Sequence, residues 1–307
     1  MRRLVLRARD RGYCCAVFNY RGFRRTLKTA MVTTSIDVSD FASVIRHLRL
    51  RFPRAPLLAA GFSMGANMLT KLLGQAGHEY TTHNALSYFP SHDKSPSTTA
   101  TTSFLDYAQT NTPFSAAAHL TAAVSVSNAF DYVRLSHNLS NRLQSVLYSR
   151  PLTHWIKARL IRHPGNMERF MREKPHINMT RVLDAQTIWE MDDRFTRQVY
   201  GLPNTEEYYR VSSSLPHVGH VRTPLLCLNS LDDPFLGGDQ LPLPRSQARA
   251  NPHLLLAVTK NGGHCSWETG YVPSPSSSWL LRAVLDYCDA VVALQSGSSP
   301  PSPPLGP

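Results

Sequence analysis

Acidic residues are scarce in this sequence, cysteines are few and poorly spaced, and no apolar run is long enough to cross a bilayer. The 307 residues carry 33 Lys and Arg against 21 Asp and Glu, a formal charge of +12. Five cysteines, Cys14, Cys15, Cys227, Cys265 and Cys288, form no C-x-x-C pair and are odd in number. That argues against a disulfide framework or zinc ribbon and for reduced, mostly buried thiols in an intracellular protein. The Arg-rich start lacks the apolar segment and cleavage site of a secretory signal. Without a membrane-spanning run either, the expectation is a cytoplasmic or peripherally membrane-associated protein. The positive charge calls for an anionic partner, but Arg2, Arg3, Arg7, Arg9 and Arg11 alternate with apolar residues and no nucleic-acid signature accompanies them. Solvated helix faces, with weak attraction to anionic lipid rather than nucleic acid, fit better. His78, His83 and His92 are irregularly spaced, and His217 and His220 lack neighbouring carboxylates or cysteines. No metal and no cofactor is therefore expected.

What the chain does have is alternation. Leu4 to Arg11 shows helical spacing, and residues 13–19 (YCCAVFN) read as a core strand. A basic loop then leads to a helix started by Ser35, Asp37 and Ser39, with Phe41, Val44, Ile45 and Leu48 on one face. The uncharged residues 56–60 predict a strand buried on both faces, LTAAVSVS at 120–127 another, and PLLCLN at 224–229 and LLLAV at 254–258 two more. Helices between strands argue for a parallel sheet. The boundaries expected are a first part of the core at 1–74, a Ser/Thr/Pro-rich surface insertion at 75–118, a core strand at 119–130, a basic helical cap at 131–215, the rest of the core at 216–295, and a disordered tail at 296–307. Trp155, Phe170 and Met171 in the cap are either an acyl-pocket lining or ordinary core.

The chemistry is concentrated at Gly61-Phe62-Ser63-Met64-Gly65, between the strand at 56–60 and a helix marked by Met68, Leu69, Leu72 and Leu73. Gly74 and Gly77 offer caps for that helix. A serine at such a corner stands above the sheet edge. Its strained backbone needs small neighbours, here Gly61 and Gly65. The helix start adds amides and a positive dipole end, with Met64 as one oxyanion donor. Ligands of open parallel sheets bind at the carboxyl ends of the strands, where Asp233 and His264 also fall. In that reading Ser63 is the nucleophile and His264 its base. Asp233 orients the imidazole, Asp232 bonds the backbone of its own turn, and Asp131 is the fallback acid.

The segments FNYRG, GFSMGANML, EMDDRFT, EEYYRVSS, TPLLCLNSLDDPF and NGGH resemble those of the YheT-like branch of α/β-hydrolases, over most of the chain outside the insertion and tail. This branch includes membrane-associated phospholipases, monoacylglycerol lipases and short-chain esterases. The resemblance implies an α/β-hydrolase fold with a helical cap and a Ser63, Asp233 and His264 triad cleaving carboxylic, lipid-derived acyl esters through an acyl-enzyme. It also implies that Asp192, Asp193, Phe195 and Thr196 are structural where the chain enters the cap, with helix capping as their role. Family members have residues before the equivalent of Met1: an anchor, early strands and a loop donating the second oxyanion amide. One of those strands would lie between the segments 13–19 and 56–60. The expectation is therefore either a truncated gene model or a divergent form acting as a catalytically impaired binding protein. Losing one oxyanion donor costs about 2.7–4 kcal/mol of transition-state stabilisation.

Overall fold

A computed structural model of the chain describes residues 2–87, 112, 114–236, 243, 245–268 and 278–297. His92, the Ser95-Pro96 stretch and the tail beyond Gly297 lie outside them. Four parallel strands, β1 (Leu57–Phe62), β2 (Leu120–Val126), β3 (Leu225–Ser230) and β4 (Leu254–Thr259), pair in that order. Among the described residues, the helices of eight or more residues are α1 (Arg2–Asp10), α2 (Ser39–Arg51), α3 (Met64–Ser87), α4 (Tyr132–Ser140), α5 (Arg150–Ile161), α6 (Pro164–Glu173), α7 (Thr205–Ser212) and α8 (Trp279–Ser296).

The sheet is covered on two faces. Ile45 of α2 and Met68, Leu69, Leu72 and Leu73 of α3 pack with Leu120, Ala123, Leu225 and Cys227 in one cluster. Leu280, Val284 and Cys288 of α8 pack with Val124, Val126, Leu226 and Leu228 in another. Alternate residues of β2 and β3 thus feed opposite layers, as the two-residue period of a strand requires. A third cluster lies wholly outside the sheet. In it Leu27 and Ala30 of the basic loop join Leu160, Phe170, Val182 and Phe195 from the helices between β2 and β3.

Three local expectations are corrected. Residues 13–19 form no strand, and their amides beyond Tyr13 find no backbone carbonyl among the described residues. Strand propensity was locally sound, but a ladder needs a neighbour. β1 is accordingly the edge of the sheet: it is half-buried rather than buried on both faces, and Ala60 is exposed. A cavity of about 660 Å³ lies between it and residues 13–18, lined by Cys15, Val17, Phe18, Leu58, Ala60 and Phe62 among others.

The third correction concerns α3, which does not stop at Gly74 or Gly77 but continues to Ser87. Both glycines face the turn Leu215–His220. A Cβ on Gly74 would lie 2.2 Å from the His217 carbonyl oxygen, and one on Gly77 would lie 1.7 Å from that of His220. These glycines allow backbone contact; they do not end the helix. Gly77→Ala would gain about 1 kcal/mol in an unhindered helix, yet here it should lose about 1–3 kcal/mol by overpacking. Urea denaturation should show a lower midpoint at an unchanged slope; a midpoint at or above the parent's would remove the packing explanation.

Candidate active site

The serine is delivered by the corner between β1 and α3. Ser63 has φ +52, in the left-handed region, and its amide donates to the Val126 carbonyl at 2.9 Å on the neighbouring strand. Its carbonyl accepts from the amides of Ala66 and Asn67, so α3 starts at once. The tightness requires Gly61, where a Cβ would lie 2.4 Å from the Gly65 carbonyl oxygen and 2.8 Å from Ala66 Cα. Gly65 is different. A Cβ there would meet only the Tyr20 hydroxyl, at an ordinary 3.4 Å.

His264 reaches the serine from the loop after β4. Its Nε2 lies 2.8 Å from Ser63 Oγ, and its Nδ1 lies 2.8 Å from Asp233 Oδ2. Asp233 follows β3 and is 1% exposed, while the His264 side chain retains 20% exposure. The three sequence-selected residues are therefore in one contiguous hydrogen-bonded line. The neighbouring acids divide their work differently from the sequence reading. It is Asp233 that bonds its own turn, Oδ1 accepting from the Phe235 amide at 2.9 Å. Asp232 reaches across to accept from the Gly263 amide at 2.8 Å. Burial raises the Asp232 pKa, but hydrogen bonds, those from the Gly263 and Gly262 amides foremost, together hold this carboxylate below the usual range. Asp131 is elsewhere, capping α4 by accepting from the amides of Val133 and Arg134.

The histidine loop is fixed by groups the sequence reading gave no role. Ser230 Oγ donates to the Gly263 carbonyl at 2.8 Å, and Ser127 Oγ accepts from the Cys265 amide at 3.1 Å. Gly263, Cys265 and Trp267 all have positive φ, and Trp267 packs where a Cβ on Gly262 would stand. Strain at Cys265 and Trp267 persists only where surrounding contacts impose it. Phe235 stacks on the imidazole with centroids 4.2 Å apart, and Tyr148 packs on Phe235 at 5.2 Å. Phe235 was legible as part of the SLDDPF motif, but only the fold puts it against His264.

Beneath the site, Asn67 donates to the Ser212 carbonyl and accepts from the Ser214 amide. Lys71, one turn on, donates to the carbonyls of Ser35, Ile36 and Val211. Burial lowers its pKa to about 8. Together these two side chains tie the serine helix to the return of the chain from the region between β2 and β3.

The remaining expectations sort as follows. Met64 opens α3 immediately after Ser63. Asp192 and Asp193 do not cap a helix, since Thr187 caps Ile188–Met191 and the two acids lie within the following π-helical turn. Asp193 pairs with Arg197 at 2.7 Å and accepts from Thr205 at 3.1 Å. Asp192 accepts from the Tyr209 hydroxyl at 3.0 Å; burial pushes its pKa up to about 7 against the lowering by Thr196 and Tyr209. Phe170 is core against Phe195, whereas Trp155 and Met171 face solvent. Cys14 and Cys15 are exposed rather than buried. His217 packs on Gly74, and no cluster of metal-ligating side chains occurs among the described residues. No helix among them is long and apolar enough to cross a membrane.

A family profile described as the alpha/beta hydrolase fold matches residues 2–271. Human "Phospholipase ABHD3" is 29% identical over 282 residues, covering 92% of this chain and 58% of that protein. The Picea glauca "Embryogenesis-associated protein EMB8" is 26% identical over 293 residues, covering 95% of this chain and 55% of its own length. A Saccharomyces cerevisiae "Monoacylglycerol lipase" is 28% identical over 253 residues, covering 82% of this chain and 47% of that protein. The chain thus spans about half the length of the curated relatives it matches.

Proposed function

As this chain belongs to the α/β-hydrolase fold family, we propose that it is a serine hydrolase of carboxylic esters, with lipid acyl esters as the substrate class. The observation that carries the reading is the pair of 2.8 Å contacts from His264, one to Ser63 Oγ and one to Asp233. With the imidazole proton on Nδ1, facing the carboxylate, Nε2 accepts the serine proton as Oγ attacks the acyl carbonyl carbon. The carbonyl π electrons move to oxygen, and the amide of Met64 at the start of α3 is the donor assigned to that oxyanion. Collapse expels the alcohol, protonated by His264, and leaves the acyl group on Ser63. Water activated by the same nitrogen then releases the acid. The lipid assignment draws on relatives named a phospholipase and a monoacylglycerol lipase.

A second reading is a binding protein of the same fold with weak turnover. One observation favours it: the open cavity beside β1 borders Gly61, Phe62 and Gly65, so the support of the serine corner is incomplete on that side. A fluorophosphonate probe followed by peptide mapping, alongside an ester panel graded in acyl length, separates the two. Labelling confined to the peptide bearing Ser63, with measurable ester turnover, is expected. A folded protein that neither labels nor turns over any ester would favour the second reading.

A further inference from the structure

We propose that the outward face made by the loop 23–28 and helix α5 docks this protein on an anionic lipid surface. The inference is independent of the chemistry at Ser63.

On α5, Pro151, Trp155, Ala158 and, just beyond its end, Arg162 recur at spacings of three or four residues and are all exposed, with Ile161 beside them. Trp155 is 51% and Ile161 49% exposed, and Phe23 on the loop is 38% exposed. The two elements are joined by a cation between rings. The Arg159 guanidinium lies 3.7 Å from the centroid of Phe23 and 4.6 Å from that of Trp155. The loop is held rigidly to the helices, because Leu27 is buried and its amide donates to Asn166 at 2.8 Å. Aromatic and aliphatic side chains are thus fixed facing solvent.

The charge around them is one-sided. Arg21 is matched by Asp40, but Arg24, Arg25 and Lys28 are exposed and have no ion-pair partner among the described residues. They line a cavity of about 770 Å³ inside the loop. From 132 to 183 the only acids are Glu168 and Glu173. Glu173 is already engaged by Arg169, Arg172 and the Ala30 amide. A surface that combines an exposed Trp and Phe, aliphatic side chains and unpaired guanidinium groups complements the lipid headgroup region, where rings sit at the interface and arginines bind phosphate. Single-stranded RNA would use the same phosphate contacts but needs ring faces free for base stacking. Here Arg159 covers one face of each ring, and Ile161, Ala158 and Pro151 offer a base no polar partner.

The patch is also continuous with the flank of the active site. Exposed Leu143, Val146 and Leu147 precede α5, and Tyr148 between them and the helix contacts Phe235, which stacks on His264. Docking through α5 would therefore set that flank beside the bilayer.

Flotation with phosphatidylcholine vesicles, with and without phosphatidylserine, tests the proposal. Binding to the anionic vesicles at low salt, reversed by high salt, is expected. Reversing three charges in Arg24→Glu, Arg25→Glu and Lys28→Glu should weaken it by at least about a hundredfold. Trp155→Ser with Phe23→Ser should weaken it as well. Leu50→Ser, a change at a 78% exposed residue of α2 away from this face, should not. Hydrolysis of a water-soluble short-chain ester and the melting temperature should be unchanged in all these variants. The proposal fails if the parent protein does not float with anionic vesicles, if the patch variants float like the parent, or if a homopolymer RNA binds tightly with the same sensitivity to the variants while vesicles do not bind.

Discussion

Ser63→Ala should eliminate fluorophosphonate labelling and lower ester turnover by about 10⁴-fold or more, while the melting temperature stays within a few degrees of the parent's. Turnover falls because the hydroxyl that faces His264 Nε2 in the proposed relay is that of Ser63, whose Oγ lies 2.8 Å away. Stability is retained for a separate reason. The left-handed backbone at φ +52 is enforced by the Ser63 amide bond to Val126 and by the carbonyl bonds to Ala66 and Asn67, none of which uses the side chain. Alanine bears the same Cβ strain as serine at this φ. The imidazole, 20% exposed on its side chain, can replace the lost partner with water. A Ser63→Ala protein that melts normally yet keeps parental ester turnover would remove the serine from the chemistry.

The parts of this molecule legible in its sequence are those decided by neighbours in the chain. The corner at Ser63 was readable because an uncharged run, one indispensable glycine at Gly61 and an apolar helical repeat follow one another within twenty residues. His264 was readable because Gly262 and Gly263 follow the last apolar run, although the reason for Gly262, contact with the Trp267 ring, was not. The errors come from contacts between distant segments. Gly74 and Gly77 look like helix stops until the turn Leu215–His220 is laid against them. Lys71 has no role in the sequence reading, since only the fold brings it three carbonyls from residues 35, 36 and 211. Residues 13–19 have the composition of a strand, but pairing is a property of two segments, and the described residues supply no partner. The same limit explains why the turn bond falls to Asp233, which also faces His264, and not to Asp232. Both turn bonding and cross-loop bonding are open to either acid until the loop bearing Gly263 is in position.

Because Asp233 holds both its own turn and His264, Asp233→Asn is the second large effect expected, a loss of about 10⁴-fold in kcat at little cost in fold. An asparagine at 233 would keep its carbonyl oxygen on the Phe235 amide, the bond Oδ1 now makes, and so turn its NH₂ toward His264 Nδ1. Nδ1 would then have to be the acceptor, and the imidazole proton would move to Nε2. A protonated Nε2 cannot take the proton of Ser63, so the base is lost without disturbing the geometry. Asp232→Asn keeps an acceptor for the Gly263 amide and gives up only a mostly solvated charge, so a loss of at most about tenfold is expected from a small shift of the loop. Asp131→Asn should be near parental, because asparagine caps a helix about as well as aspartate and α4 would stay in place. Steady-state kinetics of the three variants on one soluble ester decide the matter. If the Asp131 or Asp232 variant lost more than the Asp233 variant, the acid of the relay would have to be reassigned, and the 2.8 Å contact to His264 would be structural only.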